Sequence, residues 1–251
     1  MRHILLEVCV DTVDGALAAE RAGADRVELC SALDLGGLTP GPGTLAEARE
    51  RLEIPLVVLI RPRRGDFLYS PTDLAAAWRD VEAARAAGAD GVALGLLDQH
   101  GDLDRERTAA LAELARPMTV TFHRAFDLAR DRERTLEQLV ELGLERVLTA
   151  GGASDVETGR EALTRLVDRA AGRIAVLAGG GVKPATVAHL VAETGVPEVH
   201  LSARVMQPSA MRHRNPGCAL GSGRIPGEYE LARTDPELVR ATLAALRQRG
   251  S

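Results

Sequence analysis

The sequence is poor in lysine and in aromatic residues. Lys183 is the single lysine among 31 basic residues, and Phe, Trp and Tyr together make up 2% of the chain. A Schiff-base aldolase is therefore disfavoured, because it needs a lysine amine facing the active site, whereas Lys183 is predicted to lie in a loop beyond a strand. Hydrophobic residues still amount to 45%, so a core of Ala, Val, Leu and Ile is expected.

Cysteines and long apolar runs are also scarce. Cys9, Cys30 and Cys218 are too few for a disulfide framework, so a cytoplasmic protein with reduced thiols is expected. No apolar run is long enough to cross a membrane, and the opening MRHILLEVCV does not have the shape of a signal peptide. The net charge is −5 and the basic residues are scattered, which excludes an obvious nucleic-acid footprint. We expect neither a membrane nor a nucleic acid as a partner.

One local pattern occurs four times along the chain. It is found in AGADRVEL (22–29), AGADGVAL (87–94), LGLERVLT (142–149) and TGVPEVHL (194–201). Each copy ends a helical pattern at Gly, which suits a left-handed helix cap, and enters a strand at Val. Three more strand patterns, at 54–63, 116–126 and 173–182, lie between the copies, and ILLEVCV precedes them all. Eight strands alternating with helical patterns are therefore predicted.

This alternation predicts the α/β class and a single parallel (β/α)₈ TIM barrel, forming one domain over residues 1–251. A doubly wound open sheet is the alternative. It would leave the fourfold recurrence unexplained, and it would want a Gly-rich phosphate loop after the first strand. The sequence there reads CVDTVDGA and contains no such loop, so the barrel is favoured.

Strand side chains alternate between the inside and the outside of a barrel. The wholly apolar rows should pack on the helices, which turns the other rows toward the barrel axis. The inward candidates are Glu7, Cys9, Glu28, Cys30, Arg61, His123 and His200. Buried charges are costly unless they are paired, so these groups should contact one another. Their convergence predicts a catalytic or binding site at the C-terminal ends of the strands. The alternative is a polar layer that pairs its own charges and has no chemical role.

The loops after the strands add candidate substrate-binding residues, because many barrels bind phosphate through the loops after strands seven and eight. The alternative for the glycine run AGGGV is a tight strand-to-helix turn. The candidates are Arg124, Asp127, Gly179, Gly180, Gly181 and Ser202.

Residues 205–229 form a long connection between the last predicted strand and the final helix. Such a length is unusual for a loop within one barrel. We predict an ordered flap over the C-terminal mouth, in which Arg212 or Arg214 of the basic cluster around His213 reaches the pocket or a neighbouring subunit. A solvated surface loop is the alternative.

Several motifs, in order and without large gaps from residue 4 to about residue 230, resemble the CutC family, which is named for copper homeostasis. They are LLEVCVD, GADRVELCSALDLGGLTP, IRPRRGDFLYS, TFHRAFD, RVLTAGG, AGGGV, EVHLSAR and MRHRN. The resemblance implies a TIM barrel, a cytoplasmic location, and homodimers or homotetramers. It also implies that monovalent copper binds through the thiols of Cys9 and Cys30.

Two functions remain open at this point. Cuprous ion is soft and prefers thiolate, and Met206 and Met211 could add thioether sulfur, although buried free cysteines are also common as small hydrophobic residues. The alternative is a lyase or isomerase acting on a small anionic metabolite, which the carboxylate- and His-lined axis fits better.

In that enzyme, Glu7 or Glu28 would be the general base. His123 or His200 would be the acid–base partner, and Arg61 would anchor the substrate.

Overall fold

The computed structural model describes residues 3–215, 217–218, 220 and 227–248. Eight parallel strands close into a barrel, and the first strand pairs with both the second and the eighth. The barrel strands are β1 (Leu5–Val10), β2 (Arg26–Leu29), β3 (Leu56–Leu59), β4 (Gly91–Leu94), β5 (Thr119–Phe122), β6 (Arg146–Thr149), β7 (Ala175–Gly179) and β8 (Glu198–Leu201). The predicted parallel TIM barrel is confirmed.

Helices surround the barrel, one between each strand and the next and one after the last. Within the described residues they are α1 (Val13–Ala22), α2 (Pro42–Arg51), α3 (Pro71–Ala86), α4 (Arg105–Ala115), α5 (Arg132–Glu141), α6 (Arg160–Ala170), α7 (Val187–Thr194) and α8 (Pro236–Gln248). Short 3₁₀ helices, Leu33–Leu35 and Arg124–Leu128, follow β2 and β5. Gly23 and Gly195 end α1 and α7 with φ of 99° and 69°, as the repeated pattern predicts. No helix among the described residues has the length and apolar character needed to span a membrane.

Two separate apolar layers result from the alternation along the strands. Leu6, Val8 and Val10 of β1 are fully buried in the large core between barrel and helices. The residues of β1 that alternate with them face the interior of the barrel, where a second and smaller apolar cluster lies. That inner cluster consists of Cys9, Cys30, Val57, Leu59 and Ala93. The two thiols therefore belong to the axis of the barrel, as the row pattern predicts.

An antiparallel ribbon follows the barrel, formed by β9 (Arg204–Pro208) and β10 (Glu230–Thr234). The connection predicted as a continuous loop over 205–229 thus has strand structure at its beginning and just beyond its end. The sequence gives no sign of this ribbon, because both strands are largely exposed and lack a buried row. Residues 216, 219 and 221–226 of the predicted flap lie outside the described residues.

Candidate functional site

A cavity of about 1070 Å³ opens at the C-terminal end of the barrel. Cys9, Glu28, Cys30 and His200 line it and are themselves buried. TIM-barrel enzymes place their active sites at this end, and the volume is at the upper limit of ordinary ligand pockets, roughly 300–1,000 Å³. The cavity is therefore the place where a site for chemistry or binding is expected.

Glu7 lies behind the cavity in a network of charges. Its carboxylate accepts a hydrogen bond from Arg26 Nε and lies 2.7 Å from His200 Nδ1. Arg26 also donates to Glu198 at 2.6 Å, and Arg146 Nε lies 3.4 Å from the same carboxylate. Burial alone would raise the pKa of Glu7, but Arg26 and His200 lower it to about 2. Glu7 is thus a paired carboxylate and is not among the residues that line the cavity.

Sequence reasoning missed the other members of this network. Arg26 precedes Glu28 by two positions on β2, and Glu198 precedes His200 by two on β8, so each shares an inward row with a predicted site residue. That row membership was an available signal. What the sequence lacks is the register of β1 against β8, which places His200 opposite Glu7.

Three different ligand atoms meet on the barrel axis. Cys9 Sγ, a carboxylate oxygen of Glu28 and a ring nitrogen of His200 all lie within 4.8 Å of one another. His200 Nε2 is 3.9 Å from Glu28 Oε2, and the Cys30 thiol donates to the same oxygen at 3.4 Å. The Glu28 carboxylate is therefore near both thiols, and Cys9, Glu28 and His200 could hold a metal ion.

Burial and mutual charge determine the protonation of this group. Burial would lower the pKa of His200, but Cys9, Glu7 and Glu28 raise it well above its ordinary value. Burial raises the pKa of Glu28. Burial and the neighbouring Glu28 raise that of Cys30 well above its ordinary value. The arrangement favours a protonated imidazole at His200 and a protonated thiol at Cys30.

His123 and Arg61 flank the ring of Phe67 on the cavity wall. The Phe67 centroid is 4.9 Å from that of the His123 ring, and Arg61 Cζ is 5.2 Å from the Phe67 centroid. The backbone N–H of Ala125 donates to His123 Nδ1 at 3.2 Å, so the neutral ring carries its proton on Nε2. Burial and the Arg61 charge lower the pKa of His123 to about 3. His123 is therefore a neutral hydrogen-bond donor near pH 7.

Arg61 clamps two loops against this wall. Its guanidinium donates to the carbonyls of Leu35 at 3.2 Å, Gly37 at 2.9 Å and Gly65 at 3.1 Å. These carbonyls belong to the loops after β2 and β3, so the side chain fixes the two loops relative to each other. Its Nε is buried and has no partner among the described residues.

The rim residues Arg124 and Asp127 are bonded to each other, with Arg124 Nε donating to Asp127 at 2.6 Å. Asp127 also accepts from Thr149 Oγ1 at 2.5 Å and from the backbone N–H groups of Ala150 and Gly152. Both of its oxygens are thus occupied by the chain. Asp127 holds the loop after β6, while Arg124 lines the cavity.

The glycine run after β7 contributes differently at each position. Gly180 and Gly181 line the cavity with left-handed φ of 107° and 75°. Gly179 is the end of β7, where a Cβ would lie 2.5 Å from Leu148 Cδ1, and it does not line the cavity. Ser202 lines it, as predicted, and so does Lys183. Sequence reasoning set Lys183 aside, although its uniqueness among the basic residues was a signal.

Arg204, which starts β9 and immediately precedes the long connection, lines the cavity. Its guanidinium donates to Asp34 at 2.9 Å and lies 3.5 Å from Asp11. Arg212 and Arg214 are exposed and do not line the cavity. The expectation that one of them reaches the pocket of its own chain is therefore not met; contact with a neighbouring subunit stays a prediction.

Three other sulfur side chains lie apart from the axial group. Met206 and Met211 are 47% and 55% exposed, and Cys218 is also exposed. None of the three lines the cavity. The two methionines considered as thioether donors therefore do not join Cys9 and Cys30 in this structure.

Comparisons with known proteins agree on one family. A sequence model described as the CutC family matches residues 4–205. A protein named family protein CutC from Chromobacterium violaceum is 48% identical over 242 residues, covering 96% of this chain and 98% of that one. The copper homeostasis protein cutC homolog of Homo sapiens is 44% identical and covers 96% and 88%. The crystal structure of CutC from Streptococcus agalactiae is 32% identical, with a TM-score of 0.77, and covers 80% of this chain and 99% of that one.

Proposed function

Because the chain belongs to the CutC family, we propose that it serves copper homeostasis by binding one monovalent copper ion on the barrel axis. The observation that carries this proposal is a group of buried donors: the ligand atoms of Cys9, Glu28 and His200 all lie within 4.8 Å of one another, and the Cys30 thiol lies 3.4 Å from the Glu28 carboxylate. The human relative's name refers to the same role. Buried sulfur and imidazole donors suit a soft ion that accepts few ligands.

We assign the thiolates of Cys9 and Cys30 as the copper ligands, with His200 as the third once its imidazole has lost its proton. Cuprous ion prefers thiolate and imidazole, whereas carboxylates suit harder metals. Glu28 therefore acts as a hydrogen-bond partner of the thiols, as its 3.4 Å contact with Cys30 Sγ supports. Metal binding releases the thiol protons. Glu28, the carboxylate beside both thiols, would accept a released proton.

Titration against a chromophoric cuprous chelator in anaerobic, reducing buffer tests the assignment. We expect one copper ion per chain for the wild type and none for the double variant Cys9→Ser, Cys30→Ser. Cys218→Ser is the matched control, because that thiol is exposed, and it should bind like the wild type. Unchanged stoichiometry in a correctly folded double variant would exclude these thiols as ligands.

We also propose a cytoplasmic location and a homodimer or homotetramer. The three cysteines are free, which fits a reducing compartment. Cell fractionation checks the location, and light scattering on the purified protein checks the subunit number. A periplasmic protein or a monomer would contradict the respective part of the proposal.

A second candidate function is favoured by the size of the cavity. About 1070 Å³ is far more space than a copper ion occupies, and it lies above an acid–base pair, Glu28 and His200, 3.9 Å apart. We propose that the protein acts as a lyase or isomerase on a small anionic metabolite. Glu28 would serve as the general base and His200 as its acid partner.

Metabolite profiling of a deletion strain tests this second function. We expect one small anionic metabolite to accumulate, and its level to be restored by the wild-type gene but not by Glu28→Gln. Copper tolerance measured in the same strains separates the two functions. An unchanged metabolite profile with a changed copper tolerance would leave only the first.

A further inference from the structure

Among the described residues that line the cavity, three buried N–H donors have no hydrogen-bond acceptor: His123 Nε2, Arg61 Nε and Arg204 Nη1. Arg204 Nη1 lies 3.5 Å from the Asp11 carboxylate, whereas His123 Nε2 and Arg61 Nε, on side chains that are 4% and 9% exposed, have no ion-pair partner. Both residues line the cavity and lie beside Phe67: the centroid of the His123 ring is 4.9 Å, and Arg61 Cζ is 5.2 Å, from the Phe67 ring centroid. Buried donors in folded proteins almost always have a partner. Two buried, unsatisfied donors on side chains that share the Phe67 wall of the cavity therefore indicate an acceptor that comes from outside the chain.

The charge of Arg61 narrows the nature of that acceptor. Its partners among the described residues are the backbone carbonyls of Leu35, Gly37 and Gly65, and none of these carries a charge. A buried cation without a counter-ion is costly. An anionic oxygen would supply the missing charge and the missing acceptor together, through charge-assisted hydrogen bonds.

His123 is suited to the same partner. Its Nδ1 is occupied by the N–H of Ala125 at 3.2 Å, so its Nε2 presents a proton and cannot accept one from a ligand. A ligand oxygen between His123 and Arg61 would meet donors only. This pair therefore selects an oxyanion over an amine or a hydroxyl donor.

We propose that the carboxylate or the phosphate monoester of a small organic ligand binds at Arg61 Nε and His123 Nε2, with the apolar part of the ligand against Phe67. The three residues form an oxyanion subsite of the cavity. Leu33 and Leu59 also line the cavity and offer apolar surface for the body of the ligand. This inference deepens the second proposed function, but it concerns binding and is tested without turnover.

The other charges around the cavity are compatible with an anion. Arg124, Lys183 and Arg204 line it against two acidic residues, Glu28 and Asp127. Both oxygens of Asp127 are already bonded to Arg124 and to the loop after β6. Arg124 and Arg204 are themselves paired with Asp127 and Asp34, so Lys183 is the lining cation without an ion pair among the described residues, and its charge favours the entry of a negatively charged ligand.

Calorimetric titration of the full-length protein with pentanoate and butyl phosphate tests the subsite, because the two probes have similar apolar parts and different oxyanions. Pentanol and inorganic phosphate are the controls for the apolar part and for the anion alone. We expect one pentanoate or butyl phosphate per chain and no binding of pentanol. The probe that binds with the higher affinity identifies the preferred oxyanion as carboxylate or phosphate.

Variants at His123 separate the proposal from a general loss of structure. His123→Phe keeps an aromatic ring beside Phe67 but has no donor, so it should bind the preferred anion about tenfold more weakly or worse. His123→Gln restores an N–H donor and should recover much of the affinity. Arg61→Met should also weaken binding, whereas Arg116→Met, which removes an exposed ion pair with Glu113, should not.

Failure of both anions to bind at millimolar concentration, or equal affinity of the wild type and His123→Phe, would overturn the subsite. His123→Phe should still bind one cuprous ion, because the proposed copper ligands are elsewhere in the cavity. If an anion binds in the predicted way while the deletion strain shows no metabolite change, the enzyme function fails and the subsite stands.

Discussion

Gly95 shows how the absence of one side chain positions the site. This residue follows β4 directly, and a Cβ there would lie 2.5 Å from two ring atoms of His123 and 2.8 Å from the Cβ of Ala125. Such distances are far below van der Waals contact. The position of the His123 ring, and with it the location of Nε2, therefore depends on a glycine at the end of the neighbouring strand.

Gly95→Ala should destabilise the protein by about 1–3 kcal/mol, because the added methyl group overpacks a rigid, buried place. Gly43→Ala is the matched control, since it lies in α2 and a Cβ there meets nothing within 4 Å. The control should be neutral or stabilising by up to about 1 kcal/mol. Urea unfolding measures both. A Gly95→Ala protein as stable as the control would mean that the His123 ring moves aside freely.

Arg204, a half-buried side chain at the start of β9, ties the β9–β10 ribbon to loops at the mouth of the barrel. Arg204 Nη2 donates to Asp34 at 2.9 Å, and Arg204 Nη1 lies 3.5 Å from Asp11. The backbone N–H of Asp235 donates to Ala203 O at 2.8 Å at the other end of the ribbon. Through these contacts, the long connection is attached to the loops around the cavity mouth.

Arg204→Ala should therefore lower the local stability of the long connection between β9 and β10. Loss of about 1 kcal/mol of local stability corresponds to roughly fivefold faster tryptic cleavage at Arg212 and Arg214. Arg240→Ala removes an exposed ion pair with Glu237 on α8 and should leave the rate unchanged. If the wild type were cleaved at the rate of an unfolded peptide, the long connection would have no stable contact with the barrel.

The barrel strands could be predicted because each carries an uninterrupted apolar row, such as Leu6, Val8 and Val10. That row identifies the opposite row as inward, which was enough to predict Cys9, Glu28 and His200 at one place. The ribbon lacks such a row and was therefore missed. The pairing of Arg26 with Glu198 was also missed, because it depends on the closure of the barrel between distant parts of the chain.

The predicted roles of single residues could be inferred less well than their positions. Asp127 was a candidate for substrate binding, yet its oxygens are occupied by the loop after β6. Arg61 was predicted as an anchor, and most of its donors hold backbone carbonyls instead. Hydrogen bonds to the backbone depend on how loops fold back, and no side-chain pattern in the sequence records this.

Stability of the whole protein should change with pH through three buried groups. The pKa of His123 is lowered from 6.5 to about 3, so its contribution is complete above pH 6.5 and is lost as the pH falls. The pKa of Glu7 is lowered from 4.5 to about 2, so its contribution is lost only below pH 4.5. The pKa of His200 is raised, so its contribution is complete below pH 6.5. Of these three, His123 is the one that changes stability between pH 6.5 and 5. Glu28, whose pKa is raised, adds stability as the pH falls toward 4.5, and comparison of the wild type with His123→Phe separates this effect from that of His123.

Acidification from pH 7 to 5 should thus cost the wild type about 2 kcal/mol through His123, at roughly 1.4 kcal/mol per pH unit. His123→Phe should lose about 2 kcal/mol less over the same interval, as measured by urea unfolding at each pH. His189→Gln, at an exposed position of α7, is the control and should follow the wild type. If the free energy of unfolding depended on pH in the same way for the wild type and His123→Phe, a neutral, buried His123 would be contradicted.

Lys183 is the only lysine of the chain, and it is exposed where it lines the cavity. An amine-reactive fluorophore therefore has one side chain to modify, with the terminal amine as the other target. Once the terminal amine is blocked, every dye reports from the edge of the same cavity. Entry of copper or of an organic anion then becomes visible as a change in emission, without any engineered attachment site.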